Sequence, residues 1–204
     1  MNPVPSDCLA QGHRRLSTIR RSLSADILRF LNKSPENRAA GDNLRTRLGA
    51  FLTPQLLCLL LYRIAHYLHV NGWGRLAVLV TRLNLLIHKV NISPQSCIGA
   101  GCFLPHPVGV TFHGTAGRGL TLYSLCVCCP REPGVDGPAE AGPRLGHRVT
   151  VGGHAVLLGP ITVGDDTKVA PKVCLDREAP AAVLVVSKAV RSVHVPSRPG
   201  RGSP

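Results

Sequence analysis

The sequence predicts a mainly β protein: a parallel β-helix of hexapeptide repeats, preceded by a short α-helical hairpin. Every sixth residue from Leu145 to Leu175 is aliphatic (Leu145, Val151, Leu157, Val163, Val169, Leu175), and a second column four places on is small or branched (Val149, Ala155, Ile161, Thr167, Val173). A helix would need apolar residues at 3.6 spacing, and an ordinary strand would need simple alternation. A period of six with two inward positions is the pattern of a β-helix in which three hexads close one triangular coil. Stacked coils then share one apolar bore, because a single coil can bury almost nothing. An antiparallel sheet with evenly spaced turns is the rival, and a strict hexad over so many repeats argues against it.

Residues 1–50 hold nine Lys/Arg against four acids and are rich in Ser, which predicts a basic, partly disordered or loosely helical tail. The twin arginines of His13-Arg14-Arg15-Leu16-Ser17 are followed by no apolar run of signal-peptide length. Residues 51–89 read as the helical hairpin. Leu57, Leu60, Leu61, Ile64 and Leu68 form one apolar face, and Leu76, Leu79, Val80, Leu83, Leu86 and Ile87 the other, on either side of the turn Asn71-Gly72-Trp73-Gly74. The uncharged run Leu48–Tyr62 is too short for a membrane span and contains Pro54 and Gln55, so none is expected.

Residues 90–186 carry the hexads. Upstream of Leu145 the column continues as Ile92, Ile98, Leu104, Val110, Ala116, Leu122 and Cys128, with companions Cys102, Val108, Leu120 and Cys126. The seventeen residues from Cys128 to Leu145 break the phase, and their Pro/Gly-rich composition predicts a loop over 129–143. Ala181–Val186 offers one more strand. Residues 187–204 are a basic Pro/Gly/Ser tail.

The formal charge of +13 suggests nucleic acid until it is located. Residues 51–187 hold eleven basic and seven acidic residues, no basic patch is interleaved with aromatics, and no nucleic-acid partner is expected. Of eight cysteines, Cys97, Cys102, Cys126, Cys128, Cys129 and Cys174 lie among the hexads with no paired C-x-x-C, so they read as reduced core thiols. No metal is expected, at the Cys126–Cys129 run or elsewhere.

No phosphate-binding glycine loop, nucleophile elbow or metal-binding H-E-x-x-H helix is present. What remains is histidine on a β-helix. His106 stands two places after an inward Leu and therefore points outward near a corner. His113, His147 and His154 are outward by the same phase and read as ordinary surface residues.

The segments Tyr62-Arg63-Ile64-Ala65-His66, Asn91-Ile92-Ser93-Pro94, Ile98-Gly99-Ala100-Gly101, His106-Pro107-Val108-Gly109-Val110, Pro143-Arg144-Leu145-Gly146 and Leu158-Gly159-Pro160-Ile161-Thr162-Val163-Gly164-Asp165 follow one another in an order that resembles the serine O-acetyltransferase family. The resemblance covers about residues 55–190. It implies a left-handed β-helix, assembled as a homotrimer or a dimer of trimers, in a cytoplasmic protein of cysteine biosynthesis. Acetyl-CoA would be the co-substrate, a small hydroxyl compound the acceptor, and a cysteine synthase a candidate partner. The resemblance makes His106 the general base and Asn91 its orienting neighbour, and it places Gly153, Lys168 and Pro171 along the CoA groove. Three positions depart from the family: an orienting aspartate is Asn91 here, a second aspartate is Pro105, and a histidine is Gly142. Pro171 lacks the N–H donor that a small residue would offer.

The resemblance thus implies direct acetyl transfer from acetyl-CoA to a hydroxyl. The alternatives are an acyltransferase for a sugar or other alcohol, a γ-type carbonic anhydrase on the same coil, and a degenerate homologue that acts as a binding or assembly partner. The three departures lead to the expectation that free serine is a poor acceptor, because a site without partners for polar groups loses selectivity for them.

Overall fold

The computed structural model describes residues 12–33, 49, 53–131 and 139–187. Thirteen short strands form three faces, each a parallel sheet. Face A stacks β1 (Val90–Ile92), β3 (Val110–Phe112), β6 (Val127–Cys129), β9 (Val156–Leu158) and β12 (Cys174–Leu175). Face B stacks β2 (Cys97–Ile98), β4 (Thr115–Ala116), β7 (Arg144–Leu145) and β10 (Thr162–Val163). Face C stacks β5 (Thr121–Leu122), β8 (Thr150–Val151), β11 (Lys168–Val169) and β13 (Leu184–Val185). Cys97 pairs with Thr115 and Arg144 with Thr162, so one coil takes eighteen residues, or three hexads. The bore is one continuous apolar core running from Val90 to Ala179.

Two corners of each coil use left-handed backbone. At the edge between faces C and A these residues are Lys89, Gly109, Leu125, His154 and Lys172, and at the edge between B and C they are Gly101, Gly119, Arg148, Asp166 and Ala182. Each non-glycine residue there accepts an uncommon conformation. Stacking compensates for it: the N–H groups of Leu125, His154 and Lys172 donate to Val108, Ser124 and Gly153 of the neighbouring coil.

The hexad shifts once. Val90 pairs with Val110 and Ile92 with Phe112, an offset of twenty, while Phe112 pairs with Cys128, an offset of sixteen. Val110 therefore stacks on Val90 rather than in the column of Ile92, and Phe112 fills that column. Val108, expected inward, is 55% exposed. The turn before β3 takes two extra residues and the turn after it gives two back. Because both slots accept an apolar side chain, the sequence did not reveal the shift. Thr115 pairs with Arg144, twenty-nine residues on, so eleven residues are inserted between β6 and β7. Of the expected loop over 129–143, Cys129 belongs to β6, Ala139–Ala141 form a short 3-10 turn, and 132–138 lie outside the described residues.

Among the described residues, three helices precede or flank the first coil: α1 (Leu16–Lys33), α2 (Pro54–Val70) and α3 (Gly74–His88). The first corrects the expectation of a loosely helical tail at 16–33. Ile27, Phe30 and Leu31 of α1 are buried with Leu56 of α2, against which half-buried Leu23 and Phe103 also pack. The rest of the expected N-terminal tail and residues 188–204 lie outside the described residues, apart from short flanking pieces.

The hairpin exists as expected, but its buried face does not match. Helix α2 buries Leu56, Cys58, Leu59, Tyr62, Arg63, Ala65, His66 and Val70, whereas Leu57, Leu60, Leu61 and Leu68 are half-buried and Ile64 is exposed. Helix α3 buries only Ala77 and Asn84, and leaves Leu79 and Leu86 61% and 70% exposed. The coil presents backbone carbonyls at this contact, so polar side chains make the docking face and the leucines turn outward. Among the described residues no helix is long and apolar enough to cross a membrane.

Candidate active site

The two extra residues before β3 form the turn that carries His106. It is exposed, with Pro105 half-buried and Pro107 buried on either side. The turn is fixed by backbone contacts: the Val108 N–H donates to the His106 carbonyl at 2.9 Å, the Gly109 N–H to Lys89 at 2.9 Å, and the Leu125 N–H to Val108 at 2.9 Å. Gly109 has φ +65°, and an added Cβ would strike the Leu125 side chain, so glycine suits this point. A rigid turn thus holds an imidazole in solvent at the C–A edge.

Gly153 and Pro171 lie on the same edge, next to the corner residues His154 and Lys172, and the Gly153 carbonyl accepts the Lys172 N–H at 3.0 Å. Neighbouring strands are about 4.8 Å apart, which sets Gly153 roughly 10 Å and Pro171 roughly 14 Å along the edge from the His106 turn. Lys168 is exposed on β11, three residues before Pro171, between Thr150 and Leu184 of face C. Asn91 is exposed on β1, beside Thr111 and two residues after the Lys89 corner. The fold therefore gathers His106, Gly153 and Pro171 along one edge, with Asn91 in the coil before, while Lys168 stands on face C two residues after the Asp166 corner. Gly153 has no side chain to obstruct the edge, and Lys168 supplies a cation on the adjoining face C. Pro171 stands against Gly152, whose added Cβ would lie 2.6 Å from the proline nitrogen.

Gly142 lies elsewhere. It sits at the corner between faces A and B, where an added Cβ would collide with the His113 carbonyl oxygen. No side chain fits there without moving backbone. His113, half-buried, occupies the neighbouring position on the preceding coil. A depression of about 350 Å³ on face B is lined by Thr115, Gly117, Arg144, His147, Thr162 and Asp165 among others, and it includes none of the residues expected at the site. His147 there accepts the Arg118 backbone N–H through Nδ1 at 3.0 Å, and the His147 backbone N–H donates to Asp165 Oδ1 at 2.7 Å.

A scan against models of protein families finds none that matches this chain. A curated serine acetyltransferase of Helicobacter pylori is 30% identical over 175 residues, spanning 84% of this chain and 96% of that protein. The chain belongs to the serine acetyltransferase family. A second relative of that name, from Mycobacterium tuberculosis, is 30% identical over 145 residues, covering 70% of this chain and 62% of its own length. Among solved structures, serine acetyltransferase isoform 3 of Entamoeba histolytica in complex with cysteine superposes with a TM-score of 0.74 at 21% identity over 93% of this chain. The soybean serine acetyltransferase apoenzyme superposes with the same TM-score at 21% identity over 92% of this chain. The chain spans 64% of the Entamoeba protein and 74% of the soybean one. Their shared fold is the left-handed β-helix with a helical part before it, as the sequence led us to expect.

In this serine acetyltransferase family member, the Tyr62-Arg63-x-x-His66 segment docks helix on coil. The Tyr62 hydroxyl donates to Ser96 O at 2.9 Å and accepts the Ile98 N–H at 3.1 Å. Arg63 donates to Ile98 O, to Gly99 O at 2.8 Å and to Asp26 of α1. His66 Nδ1 lies 2.9 Å from Pro94 O. From α1, Arg29 donates to the Gly101 and Leu120 carbonyls and to Thr121 Oγ1. Burial pushes the Asp26 carboxyl up, against the charge and hydrogen bonds of Arg63 and the Cys102 N–H. Burial, the largest single influence, would lower the Arg63 guanidinium, but Asp26 together with Tyr62 and Cys102 holds the group above its ordinary value. Burial lowers the His66 ring to about 3 and the His13 ring to about 4. The sequence reading missed α1 because its charged and serine residues obscured the spacing of Ile19, Leu23, Ile27 and Phe30.

The expectation of reduced core thiols holds at Cys102, Cys126 and Cys128, which are free and buried; Cys129 and Cys174 are free but half-buried and exposed, respectively. It fails at Cys97, which is disulfide-bonded.

Proposed function

We propose that this chain transfers an acetyl group from acetyl-CoA to the hydroxyl of a small acceptor, with His106 as general base. The alignment of His106, Gly153 and Pro171 on one prism edge carries this reading, with Lys168 on the adjoining face C. A neutral imidazole at His106 takes the acceptor's hydroxyl proton as the oxygen attacks the thioester carbonyl carbon. The tetrahedral intermediate then collapses with cleavage of the C–S bond, and the proton passes to the departing CoA thiolate. Base catalysis of this kind contributes about 10²–10⁴ in rate. Transfer is direct and needs no acyl-enzyme. The extended substrate would lie along the edge past Gly153, with its phosphates toward Lys168.

Serine is the acceptor named for the family and the first to be tested. Asn91 can orient the His106 ring but supplies no negative charge to the imidazolium that forms. His106 and Gly142 sit on different prism edges, so a pocket drawing on both corners needs a second subunit. The exposed leucine face of α3 supports assembly as well, because so large an apolar surface is unusual on a monomer. The reading includes a homotrimer or dimer of trimers, a cytoplasmic location in cysteine biosynthesis, and a cysteine synthase as partner. The deciding experiment is release of free thiol from acetyl-CoA with serine and a panel of other alcohols. A protein that releases no thiol with any acceptor would instead be a binding or assembly homologue.

A further inference from the structure

Three side chains from separate elements converge beneath the first coil. His13 comes from the turn before α1, His66 from the middle of α2 and Cys97 from β2, and all three are buried. His13 Nδ1 lies 2.9 Å from His66 Nε2 and 3.7 Å from Cys97 Sγ, and one ligand atom from each residue falls within 4.8 Å of the others. The two rings stand at 87° with centroids 5.0 Å apart, so their nitrogens meet while their faces do not stack.

We propose that His13, His66 and Cys97 form a metal-binding site for a zinc-class divalent transition metal ion, available when the Cys97 disulfide is reduced. A tetrahedral ion with metal–nitrogen bonds of about 2.0 Å and a metal–sulfur bond of about 2.3 Å needs ligand atoms roughly 3.3–3.6 Å apart. Two of the three separations, 2.9 and 3.7 Å, lie close to that range, and the third lies within 4.8 Å, so modest side-chain movement brings the three atoms onto one ion. The outer contacts fit as well. His66 Nδ1 is within hydrogen-bond distance of the Pro94 carbonyl, which can only accept, so its proton sits on Nδ1 and the Nε2 lone pair is directed at the cluster. Two imidazoles and one thiolate are a borderline-soft set that suits zinc or cobalt and not magnesium or calcium. Three protein ligands leave a fourth position for water or another donor. The site would tie the chain ahead of α1 to α2 and to the coil, which is a structural role and separate from the His106 edge.

A phosphine in water opens the site. The S–S bond takes two electrons and two protons to give two thiols, and the phosphine becomes its oxide with the oxygen of water. Cys97 then gives up its proton to the solvent on binding the ion.

The test is cobalt(II) titration of the full chain, reduced by a phosphine and, separately, left oxidised. We expect the reduced chain to bind about one equivalent, with the d–d bands of a tetrahedral ion and a thiolate-to-cobalt charge-transfer band. Zinc should displace the cobalt, and both bands should disappear in C97S and weaken in H13A. No tetrahedral spectrum from the reduced, unaltered chain would overturn the proposal. So would a charge-transfer band that survives in C97S, which would place the cobalt on another thiol, or equal uptake by the oxidised chain. A pair of imidazoles that merely hydrogen-bond to each other would give none of these spectra. The readout on unaltered protein keeps the test decisive even if a variant folds poorly.

Discussion

Arg63 Nε lies 3.1 Å from Asp26 Oδ2, with the two side chains 3% and 0% exposed. Around this ion pair α1, α2 and the first coil meet, since Arg63 also donates to Ile98 and Gly99, and Asp26 accepts the Cys102 N–H at 2.7 Å. Removing one partner leaves the other charge buried, which costs about 3–5 kcal/mol. We therefore expect D26A and R63A each to lower the unfolding free energy from denaturant titration by that amount. The double variant should lose clearly less than the sum of the two. Additive losses in a double-mutant cycle would show that the pair is not coupled.

H106A should lower kcat by about 10²–10⁴ while far-ultraviolet circular dichroism and oligomeric state stay unchanged. H113A should change kcat much less, since that ring lies at another corner. Steady-state kinetics of both variants decides, and equal losses would mean that the wrong imidazole has been assigned.

Acceptor choice follows from Asn91, Pro105 and Gly142. Discrimination of about 10⁴–10⁵ requires buried partners for the acceptor's charged groups, and these three positions provide no acid and no imidazole. We expect kcat/KM for serine to fall below that for an uncharged alcohol at saturating acetyl-CoA. Serine preferred a hundredfold or more would show that other residues supply the contacts.

Assembly should be evident in light scattering. With the α3 leucines exposed and the site corners on separate edges, the chain is expected to run as a trimer or a multiple of one. Replacing Leu79 and Leu86 with Gln should shift it toward smaller species if α3 is part of that contact. A stable monomer at working concentration would count against the proposal.

Alkaline pH should destabilise the protein more than usual. Burial raises the Cys58 and Cys126 thiols to about 12, and also raises Cys102 and Cys128. A group raised by folding keeps its proton in the native state while the unfolded chain loses it, so its contribution is intact below about pH 8.5 and declines as pH rises. Each such thiol gives a slope of up to ~1.4 kcal/mol per pH unit. Unfolding midpoints between pH 8 and 11 should fall accordingly, and less steeply in C126A/C128V. A flat profile over that range would contradict the buried assignment.

The sequence by itself determined the β-helix, because a column of Leu and Val every six residues can bury itself in no other period. It also located the break in the hexads after Cys128, the existence of the hairpin, and the turn that displays His106. The tertiary structure decided what periodicity leaves open. Val110 and Phe112 both satisfy an inward slot, so only strand register reveals which one continues the column of Ile92. In α2, apolar spacing pointed to Leu57, Leu60 and Leu61, yet Tyr62, Arg63 and His66 face the coil, because exposed carbonyls at its first turn require donors. The shared edge of His106, Gly153 and Pro171 depends on the closing of eighteen-residue coils. The meeting of His13, His66 and Cys97 depends on the docking of α1, a contact between residues more than fifty positions apart that no local pattern encodes.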